Sequence, residues 1–168
     1  MIILSAHADC LSCECTSTEV LKMLKAHSPN VAVLQEVKLS LVADLVPQLS
    51  QLNLLHFFSP YGPVETDHLG MLVICDSKSA TLESVAQAAC PKISGGLCPW
   101  PRDRPKNCAQ IVGVRHNSLH WKIINYRIPV AAGDDAVPIQ ELKAEDCYAV
   151  LCLSGIHNPD GASTMLAT

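Results

Sequence analysis

The strongest constraint on the fold is an uninterrupted apolar run, Val31-Ala32-Val33-Leu34, that ends in the polar pair Gln35-Glu36. Apolar strands without alternation are typical of strands whose two faces are both covered. We therefore predict that Val31 to Leu34 forms a central strand of a sheet. Glu36 then stands at the carboxyl end of a buried strand, where a rigid backbone holds it in place.

Residues before this run complete a β-α-β unit. Met1 to Ala6 is a short apolar run of strand type, and Thr16-Ser17-Thr18-Glu19 is a capping-box pattern that begins a helix. Pro29-Asn30 ends that helix. The chain therefore opens with a strand, a helix and the buried strand.

The remaining sequence predicts further helices and strands. The apolar spacing from Leu41 to Leu52 predicts a second helix, and Ala136 to Cys147 predicts another. Strand-length runs alternate with turns at Ser77-Lys78 and at His116 to Ser118, and we predict strands at 54–59, 70–75, 80–86, 109–115, 119–128 and 148–153, with an irregular loop at 90–107. The sum is a single α/β domain over residues 1–168, with two packed mixed or antiparallel β-sheets flanked by helices as a four-layer sandwich.

Composition narrows the classes of partner. With 168 residues and 49% hydrophobic positions, the chain can bury one sizeable core. Its 12 basic and 16 acidic residues give a formal charge of −4, which excludes nucleic-acid binding through a broad basic surface alone. The segment Arg102 to Lys106 is either a local phosphate contact or a solvated loop.

No apolar stretch approaches the roughly 20 residues of a membrane-spanning helix. Because the N-terminus also lacks a signal-peptide pattern, we expect an intracellular protein, cytoplasmic or nuclear.

The cysteines raise the question of a zinc site. There are nine, an odd number that cannot pair completely, which favours a reducing compartment. Cys10, Cys13 and Cys15 follow His7 at a spacing that can hold Zn²⁺ tetrahedrally. Structural zinc sites usually combine two Cys-x-x-Cys pairs, and this sequence offers one. The alternative is a cysteine-rich loop between the first strand and the first helix.

Several short motifs occur in an order that points to one family. They are an opening strand with a polar end, a proline-led strand ending in Gln-Glu, a glycine-containing strand and a later strand pair, found here at Ile2 to Asp9, Pro29 to Glu36, His68 to Ile74, and Ala109 to Val114 with Trp121 to Pro129. This order resembles the endonuclease/exonuclease/phosphatase superfamily, which includes base-excision endonucleases and the endonucleases of non-LTR retrotransposons. The resemblance reaches about the first two thirds of a complete family domain, so it predicts a chain that is incomplete at its C-terminus.

The resemblance implies roles for individual residues. Glu36 matches the family's metal-binding glutamate, which points to Mg²⁺ as the cofactor because carboxylate oxygen suits a hard cation. His7 stands where the family has an asparagine, and Arg127 stands at the position of its catalytic tyrosine. Asn158 matches the asparagine of the family's Gly-Asp-x-Asn motif, whose aspartate is Ile156 here. From spacing alone, the alternative for Glu36 is a solvated charge where the strand ends.

The activity that the resemblance implies is divalent-metal hydrolysis of phosphodiesters in nucleic acid, with DNA favoured over RNA. Glu36 would be the metal ligand, and Asn158, His7 and Arg127 would be the catalytic residues. Such chemistry needs both a metal and a group that prepares water for attack. Because several of these positions are replaced, we expect weak or no cleavage by this chain. The alternative is a non-catalytic remnant or interaction protein that keeps the layered core.

Overall fold

The computed structural model describes residues 1–10, 13–14, 16–61, 69–89, 107–127 and 148–154. Its elements, in chain order, are β1 (Ile3–His7), β2 (Asp9–Cys10), β3 (Cys13–Glu14), α1 (Ser17–His27), β4 (Val31–Lys38), α2 (Leu39–Gln51), β5 (Leu54–Pro60), β6 (Leu69–Asp76), β7 (Thr81–Ala89), β8 (Asn107–His116), β9 (Leu119–Arg127) and β10 (Tyr148–Ser154). The predicted helix at 136–147 and nearly all of the predicted loop at 90–107 lie outside the described residues.

The strands form two four-stranded sheets and a small two-stranded ribbon, β2-β3. The first sheet has the order β1-β4-β6-β5, in which β1 and β4 are parallel and the other pairs are antiparallel. The second has the order β10-β9-β8-β7, in which β10 is parallel to β9 and the other pairs are antiparallel. The prediction of two mixed sheets with Val31 to Leu34 in a central strand is confirmed.

Both faces of β4 are covered, which explains its unbroken apolar sequence. Residues 31–37 are all buried. Ala32 and Leu34 pack into a core beneath the two helices, which contribute Val20, Leu24, Leu45 and Leu49. Val31 and Val33 face the other way, into a second core that is shared with Val112, Val114 and Ile123 of the second sheet. The described layers are therefore helices, first sheet and second sheet.

Helix α1 begins where the sequence predicts. The backbone N–H of Thr16 donates to the Glu19 carboxylate at 2.8 Å, and the Glu19 N–H donates to the Thr16 hydroxyl at 3.3 Å. This reciprocal pair is a capping box that satisfies donors at the first turn. The hydrogen bonds from the Thr16 backbone and hydroxyl lower the pKa of Glu19.

Helix α2 spans 13 residues, the longer of the two helices within the described ranges. No helix in that part of the chain combines the length and the apolar character needed to cross a bilayer.

Candidate active site

The strands β1 and β4 are parallel neighbours, and their register places two predicted site residues one position apart along the backbone. In this parallel pair His7 is the register partner of Gln35, and the N–H of Ala8 donates to the carbonyl of Gln35 at 2.8 Å. Ser5 and His7 share one face of β1 because strand side chains alternate. Ser5 is bonded to the Gln35 side chain, so this is the face toward the second sheet. His7 thus lies one residue away from Glu36 across the strand pair.

Glu36 occupies a buried irregularity in β4. Its residue exposure is 6%, which excludes the alternative of a solvated charge at the strand end. The pairing of β4 with β6 shifts register between Leu34 and Val37, and Glu36 has the left-handed backbone angle φ 55°. Its N–H donates to the hydroxyl of Tyr61 at 3.3 Å. A left-handed glutamate is costly, and such strain persists where the surroundings over-determine the backbone.

The side chain of Gln35 ties this irregularity to the second sheet. Its Nε2 donates to Oδ1 of Asn125 in β9 at 2.6 Å and to the hydroxyl of Ser5 in β1 at 3.2 Å. Asn125 in turn donates through Nδ2 to the carbonyl of Leu34 at 3.4 Å. The two residues that precede Glu36 are therefore both hydrogen-bonded to one asparagine of the opposite sheet.

A third buried amide continues the connection. Asn125 and Gln110 are register partners in β9 and β8, and Asn125 Nδ2 donates to Gln110 Oε1 at 3.3 Å. Gln110 Nε2 donates back to the first sheet, to the hydroxyl of Ser59 at 2.8 Å and to the carbonyl of Phe57 at 3.4 Å. We call Gln35, Asn125 and Gln110 the amide chain. It crosses from β4 to the second sheet and returns to β5.

Sequence reasoning missed Tyr61, Asn125 and Gln110. A usable signal was present for the last two, because each is a polar residue inside an otherwise apolar strand, in Ala109-Gln110-Ile111-Val112 and in Ile123-Ile124-Asn125. Polar residues at buried strand positions need a partner. Tyr61 follows β5 and is 3% exposed, but nothing in the local sequence links it to Glu36.

The other predicted site residues are only partly located. Arg127 is the last residue of β9, and its backbone pairs with Ser154 of β10 at the carboxyl ends of both strands. Asn158 lies outside the described residues, as do Ile156 and the segment from Arg102 to Lys106. Their predicted roles stay predictions.

The cysteine cluster is likewise only partly described. Cys10 and Cys13 are register partners in the β2-β3 ribbon, while Cys15 lies outside the described residues. Within the described ranges, no three His, Cys, Asp or Glu residues come together as a metal cluster. The zinc hypothesis for this loop stays a prediction.

The donor chemistry of Glu36 suits one kind of cation. Mg²⁺ is held by one or two carboxylates while it keeps several waters, so it does not require a cage of protein ligands. The single carboxylate of Glu36, on a backbone that is fixed by its neighbours, fits that pattern. The imidazole of His7 is a nitrogen donor and suits softer metals, so it fits a phosphate contact better than a Mg²⁺ ligand.

Comparisons with known proteins give matches in structure. No family model and no curated protein matches the sequence. D. rerio TDP2, complexed with a single-strand DNA product, matches with a TM-score of 0.68 at 13% identity, over 95% of this chain and 62% of that one. An endonuclease/exonuclease/phosphatase family protein from Leptotrichia buccalis C-1013-b matches with a TM-score of 0.64 at 11% identity, over 90% and 66%. ANGEL2, a 2',3'-cyclic phosphatase, matches with a TM-score of 0.54 at 13% identity, over 76% and 40%.

These matches show that the chain has the fold of the endonuclease/exonuclease/phosphatase superfamily, as the order of its motifs predicts. The chain spans 62% of the length of the matched TDP2 chain. A fold supports many chemistries, so activity has to be inferred from the site.

Proposed function

We propose that this protein is a divergent, metal-dependent phosphodiesterase of the endonuclease type that acts on nucleic acid, with DNA as the favoured substrate. The observation that carries the proposal is the buried Glu36, which lies near the carboxyl end of a central strand, one register position from His7, and has a strained backbone conformation. We place the protein inside the cell, in the cytoplasm or nucleus.

Two further observations support this proposal. The fold is that of nucleic-acid and phosphate-processing proteins, among them TDP2 with its bound single-strand DNA and the 2',3'-cyclic phosphatase ANGEL2. Backbone strain at a buried carboxylate is also typical of functional positions rather than of core packing. A core with no function to serve would place an apolar residue there.

In this proposal Glu36 would hold Mg²⁺ through a carboxylate oxygen. When bound, the cation supplies a Lewis acid that neutralises charge developing on the phosphate. His7, on the neighbouring strand end, would donate a hydrogen bond to a phosphate oxygen. Arg127 would contact the phosphate in place of the family's tyrosine, and Asn158 would orient the phosphate or the attacking water.

The replaced positions favour a second candidate, a non-catalytic domain that binds its partner without cleaving it. Arg127 and Ile156 stand where the family has a tyrosine and an aspartate that take part in catalysis. Each such group normally contributes orders of magnitude in rate. We therefore expect cleavage by this chain to be slow. If cleavage is absent altogether, the protein is the second candidate.

Nicking of supercoiled plasmid and cleavage of an abasic-site DNA duplex, with and without Mg²⁺, test the proposal. We expect slow Mg²⁺-dependent cleavage that falls at least about 100-fold in Glu36→Gln, because the substitution removes the anionic ligand and keeps the shape. Glu83→Gln is the matched control. Glu83 is a half-exposed carboxylate on β7 that pairs with Arg115 at 3.3 Å and His120 at 2.9 Å.

Calorimetric titration with Mn²⁺ separates the two candidates when it is combined with the cleavage assay. Metal binding that depends on Glu36, together with cleavage, supports the phosphodiesterase. Metal or DNA binding without cleavage in the wild-type protein supports the non-catalytic domain. Cleavage that is unchanged in Glu36→Gln contradicts the assignment of this residue.

A further inference from the structure

We infer that Asn125 is a positioning residue for the Glu36 carboxylate, acting through Gln35 as the central member of the buried amide chain. This inference rests on the proposed function, because it assigns Asn125 to the same site. Asn125 is fully buried in β9, and the resemblance gives it no catalytic role.

The hydrogen bonds of the amide chain use its donors completely. The Nε2 of Gln35, the Nδ2 of Asn125 and the Nε2 of Gln110 each donate two hydrogen bonds, which is the full capacity of a primary amide. All three residues are at most 1% exposed. Protein groups therefore satisfy all the donors of the three amides.

This pattern permits one orientation of each amide. Rotating Asn125 by a half turn would place its NH₂ group against the NH₂ of Gln35 and its oxygen against the oxygen of Gln110. Both contacts would leave buried polar groups unsatisfied, an arrangement that folded proteins avoid. The amide chain is thus a rigid spacer between the two sheets at the end that carries the candidate site.

The contacts of Asn125 on β4 fall immediately before Glu36. Its Oδ1 accepts from Gln35 at 2.6 Å, and its Nδ2 donates to the carbonyl of Leu34 at 3.4 Å. A shift of Asn125 therefore reaches Glu36 through a single peptide unit. Groups that hold a metal ligand in this way commonly change metal affinity by about 10-fold to 100-fold when they are removed.

Core packing alone does not account for these residues. Elsewhere the space between the sheets is filled by apolar side chains such as Val33, Val73, Val112 and Ile123. Replacing a satisfied polar cluster by apolar groups of similar shape is often neutral for stability. Three linked amides at the site end of the sheets therefore point to a requirement for position rather than for stability.

The test compares a single and a triple variant. Asn125→Leu leaves Gln35 and Gln110 without their partner, so it loses both stability and position. Gln35→Leu/Gln110→Leu/Asn125→Leu leaves no amide unpaired and is expected to regain stability. For both variants we expect Mn²⁺ affinity at least about tenfold weaker than wild type by calorimetry, measured where circular dichroism shows the protein to be folded.

Asn30→Leu is the matched control at the far end of the sheets. Asn30 also links separate parts of the fold, since it accepts from the N–H of Ile2 at 2.6 Å and donates to the hydroxyl of Ser79 at 2.8 Å. Its removal should lower stability without changing Mn²⁺ affinity. Affinity that recovers together with stability in the triple variant would overturn the inference, as would an unchanged affinity in Asn125→Leu.

A second readout does not depend on the metal. Hydrogen exchange of the Glu36 backbone amide, followed by NMR, should quicken by about tenfold or more in Asn125→Leu and in the triple variant, because local opening at Glu36 becomes easier. In Asn30→Leu it should rise by no more than the loss of global stability accounts for. If the wild-type protein binds no Mn²⁺, the proposed function fails, and this exchange rate alone decides the positioning role.

Discussion

The left-handed backbone of Glu36 can be tested by comparing two substitutions that both remove its carboxylate. Glu36→Ala keeps a Cβ atom at φ 55°, whereas Glu36→Gly does not. A Cβ in the left-handed region costs about 1–2 kcal/mol. Glycine also makes the unfolded chain more flexible, which reduces this advantage by about 0.4–1 kcal/mol. We therefore expect Glu36→Gly to be more stable than Glu36→Ala by about 1 kcal/mol.

Urea denaturation of the two variants, monitored by circular dichroism, measures this difference in free energy of unfolding. Ala32→Gly is the control within the same strand. Ala32 keeps regular pairing with Leu4 and Ile74 and has no positive φ, so glycine there should destabilise by at least about 0.5–1 kcal/mol. Opposite signs at the two positions are the expected result. A glycine at position 36 that is as harmful as the one at position 32 would refute the assignment of strain to Glu36.

Three other predictions concern stability and reactivity. Gly70→Ala should destabilise the protein by about 2 kcal/mol or more in urea denaturation, because the new Cβ would lie 2.5 Å from a backbone oxygen of β5. Gly113→Ala is the control and should destabilise clearly less. Its Cβ would lie 2.5 Å from a serine hydroxyl, which can rotate away. Thr16→Ala should destabilise by about 1 kcal/mol at neutral pH. The capping box lowers the pKa of Glu19 in the folded protein. The stabilisation that this interaction gives is therefore present above the pKa of Glu19 in the unfolded chain, and it is lost as the pH falls through the pKa in the folded protein. The destabilisation by Thr16→Ala should accordingly become smaller in acid. Burial raises the pKa of the Cys75 thiol to about 11, so mass spectrometry should find Cys75 unmodified by a thiol reagent at pH 8 until the protein is unfolded.

Local patterns in the sequence were sufficient to predict much of the scaffold. The capping box of α1 depends only on residues that are close in sequence, and it is confirmed. The unbroken apolar run of β4 reflects burial of both strand faces, which is also confirmed. The same run predicted that Glu36 follows the apolar part of β4, but the strand continues past Glu36 to Lys38. The parallel pairing of β1 with β4 is the arrangement that a β-α-β unit produces.

The contacts that hold the site could not be predicted in the same way. Gln35 and Asn125 are separated by 90 positions, and their hydrogen bond depends on how one sheet is stacked on the other. The left-handed conformation of Glu36 has no local signal either, because glycine or asparagine usually occupies such a position. Tyr61 contacts the Glu36 backbone only because β5 ends beside it.

The contacts around Glu36 bear on whether this protein could bind a metal without cleaving nucleic acid. Three features position Glu36. The parallel pairing with β1 and the hydroxyl of Tyr61 belong to the first sheet, and the amide chain joins the first sheet to the second. The residues named in these contacts do not include Arg127 or Ile156, the positions at which the sequence departs from the superfamily pattern that it resembles. A protein that had lost cleavage would therefore keep a positioned carboxylate for as long as its sheets stayed packed. We accordingly expect substitutions in the amide chain to alter metal affinity even if the wild-type protein cleaves no DNA.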